Sequence, residues 1–397
     1  MTQGRLTDAA PEETGRAQEY QRVLEAALGI PFSAGNRVKV LRNGIEIFPA
    51  MLSAIRQSQH SVELLTFIYW KGRIAHEFAD ALAERARAGV RVRVILDAVG
   101  ALAMPKTLVE TMRDAGVDIL WFRPPVRWKV WHIDNRTHRK VLICDGRIAF
   151  TGGVGIAEEW EGDARNPSEW RDTHFQIEGP AVYGLQAAFV DNWIEGDRPI
   201  RNDFTYIEAL EPVGKSRVQV MKTSAAVNWS SIATLFHVLL TTARRKVRIT
   251  TAYFVPSPAT VRLLQETARR GVDVQVMLPG PYHDHRVAQL AQQTEYAPMM
   301  AAGVRIWAYQ PTMLHAKIAT VDDTVACVGS ANFNHRSMSK DDEIALLVLD
   351  DEIVAELDRH FEEDRVHCEE LAPAAYRRPG LLRRMQRSAV NLFKQQM

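Results

Sequence analysis

The chain has 397 residues, 46% of them apolar and 24% charged. That composition describes a globular protein too long for one core, so two domains of roughly 150–200 residues are expected. The 49 basic and 48 acidic residues leave a formal charge of +1, which argues against bulk nucleic-acid binding, a function that usually shows a basic excess. No apolar run reaches the roughly 18–20 residues of a spanning helix. The opening MTQGRLTDAAPEETGRAQEY lacks a signal-peptide apolar region, so the expected compartment is the cytosol. Cys144, Cys327 and Cys368 form no close pair. The first two fall in apolar strand-like runs and are expected to be buried packing residues.

In chain order, residues 1–36 form an N-terminal extension. ELLTFIYW, Glu63 to Trp70, then reads as an apolar strand. Phe78, Leu82 and Ala86 follow at helical spacing, Gly89 ends that helix, and VRVRVILD alternates as a strand. The segment AGVDILWF, 115–122, is another helix end and strand. The same series returns as VRITTAYFVP from Val247, a helix carrying Leu264 and Ala268 that Gly271 closes, VDVQVML, and AGVRIWAY at 302–309. The offsets are 182 for Gly89 to Gly271, 187 for Gly116 to Gly303 and 177 for His138 to His315. A step of that size means a duplicated domain. The expected fold is α/β: two pseudo-twofold-related domains, 37–200 and 218–370, each a mostly parallel mixed sheet flanked by helices, with the active site at their interface. A linker is expected at 201–217 and a basic amphipathic tail at 371–397.

Two stretches carry the chemistry. The first runs His138, Arg139, Lys140, then Asp145, then Gly152-Gly153. The second runs His315, Ala316, Lys317, then Asp322, then Gly329-Ser330 and Asn332. The spacings match term by term. Residues two apart on a strand share a face, so each His lies beside its Lys. Asp145 and Asp322 stand where hairpin turns are expected. A pseudo-twofold axis brings equivalent faces together, which places two imidazoles and two ammonium groups in one cleft. Two lysines supply fixed positive charge for phosphate oxygens. One imidazole serves as nucleophile and the other as general acid and base. No metal and no other cofactor is expected, because the lysines do the electrostatic work.

At these residues the chain resembles the phospholipase D superfamily, with its doubled HxK(x4)D motif, over roughly residues 37–370. WRDTHFQIEGPAV from Trp170 and TAYFVPSP from Thr251 resemble the bacterial cardiolipin synthases, especially the B-type forms without an N-terminal membrane span. The resemblance implies that His138, Lys140, Asp145, His315, Lys317 and Asp322 are the catalytic set, with His138 favoured as nucleophile. It implies that Gly153, Ser330 and Asn332 shape the pocket. It also implies that an acid 25–35 residues past each His orients that imidazole: Asp172 for His138 and Glu343 for His315. Gly153 and Gly155 stand where the second half has Ser330 and Asn332, so the first half would offer backbone N–H groups instead.

The implied activity is transfer of a phosphatidyl group, through phosphatidyl-histidine, to an alcohol such as that of phosphatidylglycerol. The alternatives are phospholipase D hydrolysis, a nuclease-like phosphodiesterase, or a non-catalytic lipid-binding scaffold. Glycerophospholipids and an anionic membrane surface are the expected partners, with no nucleic acid and no obligate protein. Tyr69 and Tyr253 are candidate substrate-lining residues. From Tyr376 onward there are six basic residues and no acid, which leaves a body near −5. Leu382, Met385, Ala389, Leu392 and Phe393 form an apolar stripe there, suited to the inner face of a cell membrane. Trp128 and Trp131 could dip into the same interface.

Overall fold

The computed structural model describes residues 11–125, 135–199, 209–224, 231–283 and 296–373. The first half contributes strands β1 (Ser33–Arg42), β2 (Ser61–Thr66), β3 (Arg91–Asp97), β4 (Asp118–Phe122), β5 (Val141–Cys144), β6 (Ile148–Gly152) and β7 (Thr173–Glu178). The second contributes β8 (Ser216–Lys222), β9 (Lys246–Thr251), β10 (Phe254–Val255), β11 (Asp273–Pro279), β12 (Arg305–Tyr309), β13 (Lys317–Val321), β14 (Val325–Gly329), β15 (Phe333–Asn334), β16 (Ile344–Leu349) and β17 (Cys368–Glu370).

Among the described residues all but β10 and β15 join one sheet of 15 strands, in the order β17-β12-β11-β9-β13-β14-β16-β8-β1-β7-β6-β5-β2-β3-β4. Reading outward from the β1–β8 seam, the two halves repeat one another. Within this sheet parallel pairing holds only for β2-β3-β4 and for β9-β11-β12. Toward the seam every pairing is antiparallel. The expected mostly parallel sheet is thus confined to the outer strands. The reason lies in the connections: three-residue turns that begin with Asp145 and Asp322 join β5 to β6 and β13 to β14, whereas parallel neighbours need a helical crossover.

Helices Arg73–Arg87 and Pro258–Arg269 end where expected. Gly89 (φ +87°) and Gly271 (φ +89°) adopt the left-handed conformation that closes each one. β2 stops at Thr66, short of the expected Trp70. Thr66 Oγ1 donates to the Ile68 carbonyl (2.9 Å), as Thr251 Oγ1 does to that of Tyr253 (3.1 Å). Beyond that turn Tyr69 bridges Ile156, and Phe254 pairs with Phe333.

Three large apolar cores follow among the described residues. One lies under helices Asn43–Gln57 and Arg73–Arg87 of the first half, and one under Ser231–Thr242 and Pro258–Arg269 of the second. The third covers the other face of the sheet, where Val182–Glu195 and Asp351–Arg365 bury residues of both halves together, among them Phe175, Ile177, Val218 and Ile344. That shared core and the seam fix one motif relative to the other. The helix Pro11–Leu28 precedes the first half in sequence but packs on the second, burying Tyr20 and Leu24 in its core. Cys144 and Cys327 are buried as expected.

Candidate active site

His138 and His315 do not sit in strands. Each precedes one and is held by an isolated parallel bridge: Thr137 with Asp342, and Leu314 with Arg171. The His138 N–H donates to the Asp342 carbonyl (2.9 Å), and the His315 N–H to that of Arg171 (2.7 Å). In return Asp342 N–H bonds the Arg136 carbonyl and Arg171 N–H the Met313 carbonyl, both at 2.9 Å. The two histidine segments therefore occupy equivalent clefts, and each is clamped by a strand lead-in from the opposite half.

This clamp corrects the expected pairing of acids and imidazoles. His138 Nδ1 lies 3.0 and 3.1 Å from the Glu343 carboxylate oxygens, and His315 Nδ1 lies 2.8 Å from Asp172 Oδ2. Each carboxylate serves the other half's histidine. A carboxylate accepting from Nδ1–H fixes the tautomer that leaves Nε2 with its lone pair. The lysines stand next to both: Lys140 Nζ donates to the His138 carbonyl at 2.9 Å, and Lys317 Nζ lies 3.0 and 3.2 Å from the two ring nitrogens of His315.

Electrostatics tie the four groups into one site. Burial lowers the pKa of His138, and Lys140 and Lys317 lower it further against the pull of Glu343. Burial, and then Lys317, bring His315 down to about 4. Burial brings Lys140 down to about 7; Glu343 opposes the shift and Lys317 reinforces it. Burial alone would raise both carboxylates. The histidine, lysine and other donors around them outweigh it, leaving Asp172 below its ordinary range and Glu343 at about 2. The resting site holds neutral imidazoles beside ionised acids.

The halves hold their acids differently. Ser330 Oγ donates to Glu343 Oε2. At Gly153 there is no room for a serine, since a Cβ would lie 2.3 Å from Asp172 Oδ1. Asp172 takes its bonds instead from Trp160 Nε1 (2.9 Å) and the Thr173 N–H (2.8 Å). At Gly155 a Cβ would meet the Ile68 side chain at 2.6 Å, where the second half has Asn332. The Gly153 N–H points to the Thr173 carbonyl at 3.4 Å, so that N–H is engaged within the protein. Asn332 is buried, and its Oδ1 has no hydrogen-bond partner among the described residues.

Other expected residues fall elsewhere. Asp145 (φ +53°) and Asp322 (φ +55°) lie at the far ends of the hairpins, five residues or roughly 16 Å of strand from the lysines. Asp145 accepts the N–H groups of Gln59, His60 and Ser61, and Asp322 those of Arg244, Arg245 and Lys246. Asp322 also accepts from Tyr20 Oη at 2.9 Å. These carboxylates are spent on backbone amides, and the structure does not bring them to the histidines. Tyr69 is fully buried, with its hydroxyl on the Ala75 carbonyl, so it belongs to the core. Tyr253 does reach the site, its ring 6.4 Å from that of His315. Trp128, Trp131 and the basic tail from Tyr376 lie outside the described residues, as do residues 201–208 of the expected linker. The linker's last residues, Ser216 and Arg217, open β8.

Sequence reading missed the aromatic surround. Trp160 and Trp170 lie 5.2 and 5.5 Å from the His315 ring, and Phe67 lies 5.3 Å from that of His138. Only Trp170, inside WRDTH, carried a local signal. Arg139 was also missed. Its guanidinium crosses to the opposite face, is buried, and donates to the carbonyls of Ala188 (2.7 Å) and Thr223 (2.7 Å), tying the first motif to the second half.

Two imidazoles, His138 half-buried and His315 buried, stand with crossed carboxylates and paired lysines on a duplicated α/β frame. The family described as "Cardiolipin synthase, PLD-like domain" matches residues 51–159 and 237–365, and the chain belongs to it. It is 30% identical to cardiolipin synthase 1 of Bacillus cereus over 388 residues, 95% of this chain and 76% of that protein. It is 34% identical to cardiolipin synthase A of Pseudomonas putida over 365 residues, 90% of this chain and 75% of that one. The crystal structure of phosphatidylserine synthase from Haemophilus influenzae shares the fold at TM-score 0.73 and 15% identity, over 96% of this chain and all of that one. Among the described residues no helix is long and apolar enough to cross a membrane.

Proposed function

We propose that this protein is a phosphatidyltransferase that joins two phosphatidylglycerol molecules into cardiolipin and releases glycerol. The crossed His138–Glu343 and His315–Asp172 pairs carry this reading, because they make two reactive imidazoles depend on both halves at once. The names of the relatives support the lipid substrate. His138 acts as nucleophile: its Nδ1 is engaged by both oxygens of Glu343, which leaves Nε2 with the lone pair to attack phosphorus. Nε2 bonds to phosphorus, the P–O bond to the glycerol headgroup breaks, and the leaving oxygen takes a proton from the His315 imidazolium, which forms when binding of the anionic phosphate lets the resting neutral ring take up a proton from solvent. In the second step His315 removes the proton from the incoming hydroxyl. That oxygen attacks phosphorus, and the P–N bond returns its electrons to His138. Lys140, Lys317 and Asn332 hold the phosphate oxygens and the headgroup.

The chain reads as an extension (1–36), two domains (37–200 and 218–370) with a linker between them, and a tail (371–397). The matching register of the halves supports that division. The charge of the tail supports attachment to an anionic inner membrane face.

The test is mass spectrometry of lipid products from purified protein given labelled phosphatidylglycerol. Cardiolipin with free glycerol is expected. Phosphatidic acid with glycerol would make the protein a hydrolase, and an inert lipid pool would end the lipid reading. Deleting Pro379–Met397 should weaken co-sedimentation with anionic vesicles, and unchanged binding would reject the tail as the anchor.

A further inference from the structure

We propose that Arg171 and Asp342 are positioning residues: each orients the reactive imidazole clamped beside it through a side chain anchored across the seam. The inference deepens the two-histidine reading above and rests on it. Each residue opens a dipeptide that grips one histidine at two points. Arg171-Asp172 takes the His315 N–H on the Arg171 carbonyl (2.7 Å) and Nδ1 on the Asp172 carboxylate (2.8 Å). Asp342-Glu343 takes the His138 N–H on the Asp342 carbonyl (2.9 Å) and Nδ1 on Glu343 Oε1 (3.0 Å). Such a grip orients a ring only as well as the dipeptide itself is held.

The helices of the shared core hold both dipeptides. Arg171, in the first half, sends Nε and Nη2 to Asp364 Oδ2 (2.9 and 2.8 Å), in the last turn of Asp351–Arg365. Arg42 Nη2 donates to the other oxygen of Asp364 at 2.7 Å. Asp342, in the second half, accepts from Asn192 Nδ2 (3.0 Å), in the last turn of Val182–Glu195, and Arg123 Nη2 stands 3.2 Å from the same oxygen. The polarity is reversed: a cation on an acid in one case, an acid on an amide and a cation in the other. The placement is the same, with each anchor crossing from one half to the last turn of the other half's helix. Equal placement with inverted charge points to position, and not to a particular charge, as what the two halves share.

Burial sharpens the point. Arg171 is 2% exposed and Asp364 is 3% exposed. A buried ion pair gains little over apolar packing, because desolvation costs roughly what attraction returns. An apolar pair would fill the place as stably but could not set a backbone. The planar guanidinium fork can. Its third nitrogen, Nη1, donates to the Asp172 carbonyl (2.6 Å) and to Thr173 Oγ1 (2.9 Å). One rigid group thus spaces the helix from the peptide that bears the Asp172 carboxylate. That side chain is short, so the carboxylate follows its peptide closely.

The test reads the Nδ1–H protons of both rings by NMR of the full chain with isotope-labelled histidine, assigned with His138→Ala and His315→Ala. Arg171→Met combined with Asp364→Leu replaces the ion pair by apolar groups and should keep the melting temperature within a few degrees. It should shift or broaden the His315 signal and leave that of His138 in place. On labelled phosphatidylglycerol it should lower kcat about 10–10²-fold, with KM within about twofold. Arg171→Lys keeps a cation beside Asp364 without the fork and should move the same signal. Asp342→Asn should move the His138 signal alone. Folded Arg171 variants with an unmoved His315 signal would overturn the proposal, as would variants that each moved both signals equally. The NMR reading needs no substrate, so an inert lipid pool in the product assay above leaves it decisive.

Discussion

Glu343 and Asp172 perform one task in two ways. Glu343 is the longer side chain and takes Ser330 as a supporting donor. Asp172 is shorter, sits where any Cβ at residue 153 would stand, and takes the Trp160 indole instead. The glycine that looked like a missing hydrogen-bond donor is a clearance. A duplicated site can therefore drift at several positions together while both imidazoles keep a carboxylate at hydrogen-bond distance. The asymmetry extends to the surround: Trp160 and Trp170 stand over His315, Phe67 over His138.

The most severe test of that comparison removes an imidazole. His138→Ala and His315→Ala should each lower kcat by at least about 10³-fold without unfolding the protein. His315→Ala should also accumulate a lipid adduct on His138, seen by mass spectrometry of the intact chain. An adduct on His315 in the His138 variant would reverse the roles. Next come the carboxylates. Glu343→Gln and Asp172→Asn should each lower kcat about 10²-fold or more, with little change in KM. Glu343→Gln should push the pKa of His138 lower still and leave His315 nearly unmoved. Proton NMR titration of the two rings decides whether the pairs are crossed.

A pH profile sharpens the picture further. Lys140 titrates at about 7 in the free protein, so raising the pH through that value removes a cation that holds phosphate, and kcat/KM should fall. On the acid side kcat/KM should fall as His138, whose pKa burial holds below its ordinary value, takes up a proton and loses its nucleophilic lone pair. A flat profile from pH 5 to 9 would contradict the Lys140 assignment. Gly153→Ser should displace Asp172, costing about 1–3 kcal/mol and roughly tenfold in kcat, whereas Ser330→Gly should cost activity with little loss of stability. Smallest in activity are Asp145→Ala and Asp322→Ala. They should lower the unfolding free energy by about 1–3 kcal/mol through unpaired amides and leave kcat nearly intact.

The duplication, the helix ends at Gly89 and Gly271, and the neighbourhood of each His and Lys were legible in the sequence, because periodicity and short spacing report on local structure. The crossed carboxylates were not. Asp172 lies 34 residues past His138, and separation along the chain says nothing about which twin cleft a residue enters. The same limit hid the helix Pro11–Leu28 on the second core, since its partners lie more than 200 residues away. Asp145 and Asp322 misled for another reason. A motif preserves residues for folding as well as for chemistry, and three converging amides per carboxylate leave no acid free for catalysis. The width of the parallel region was overdrawn because apolar strands look alike whichever way their neighbours run.

The antiparallel seam between β1 and β8 has a consequence for how such a protein can be encoded. An edge that pairs with its own twin has the geometry of an isologous dimer contact carried within one chain. Once the two copies are fused, each is released from self-complementarity and free to specialise.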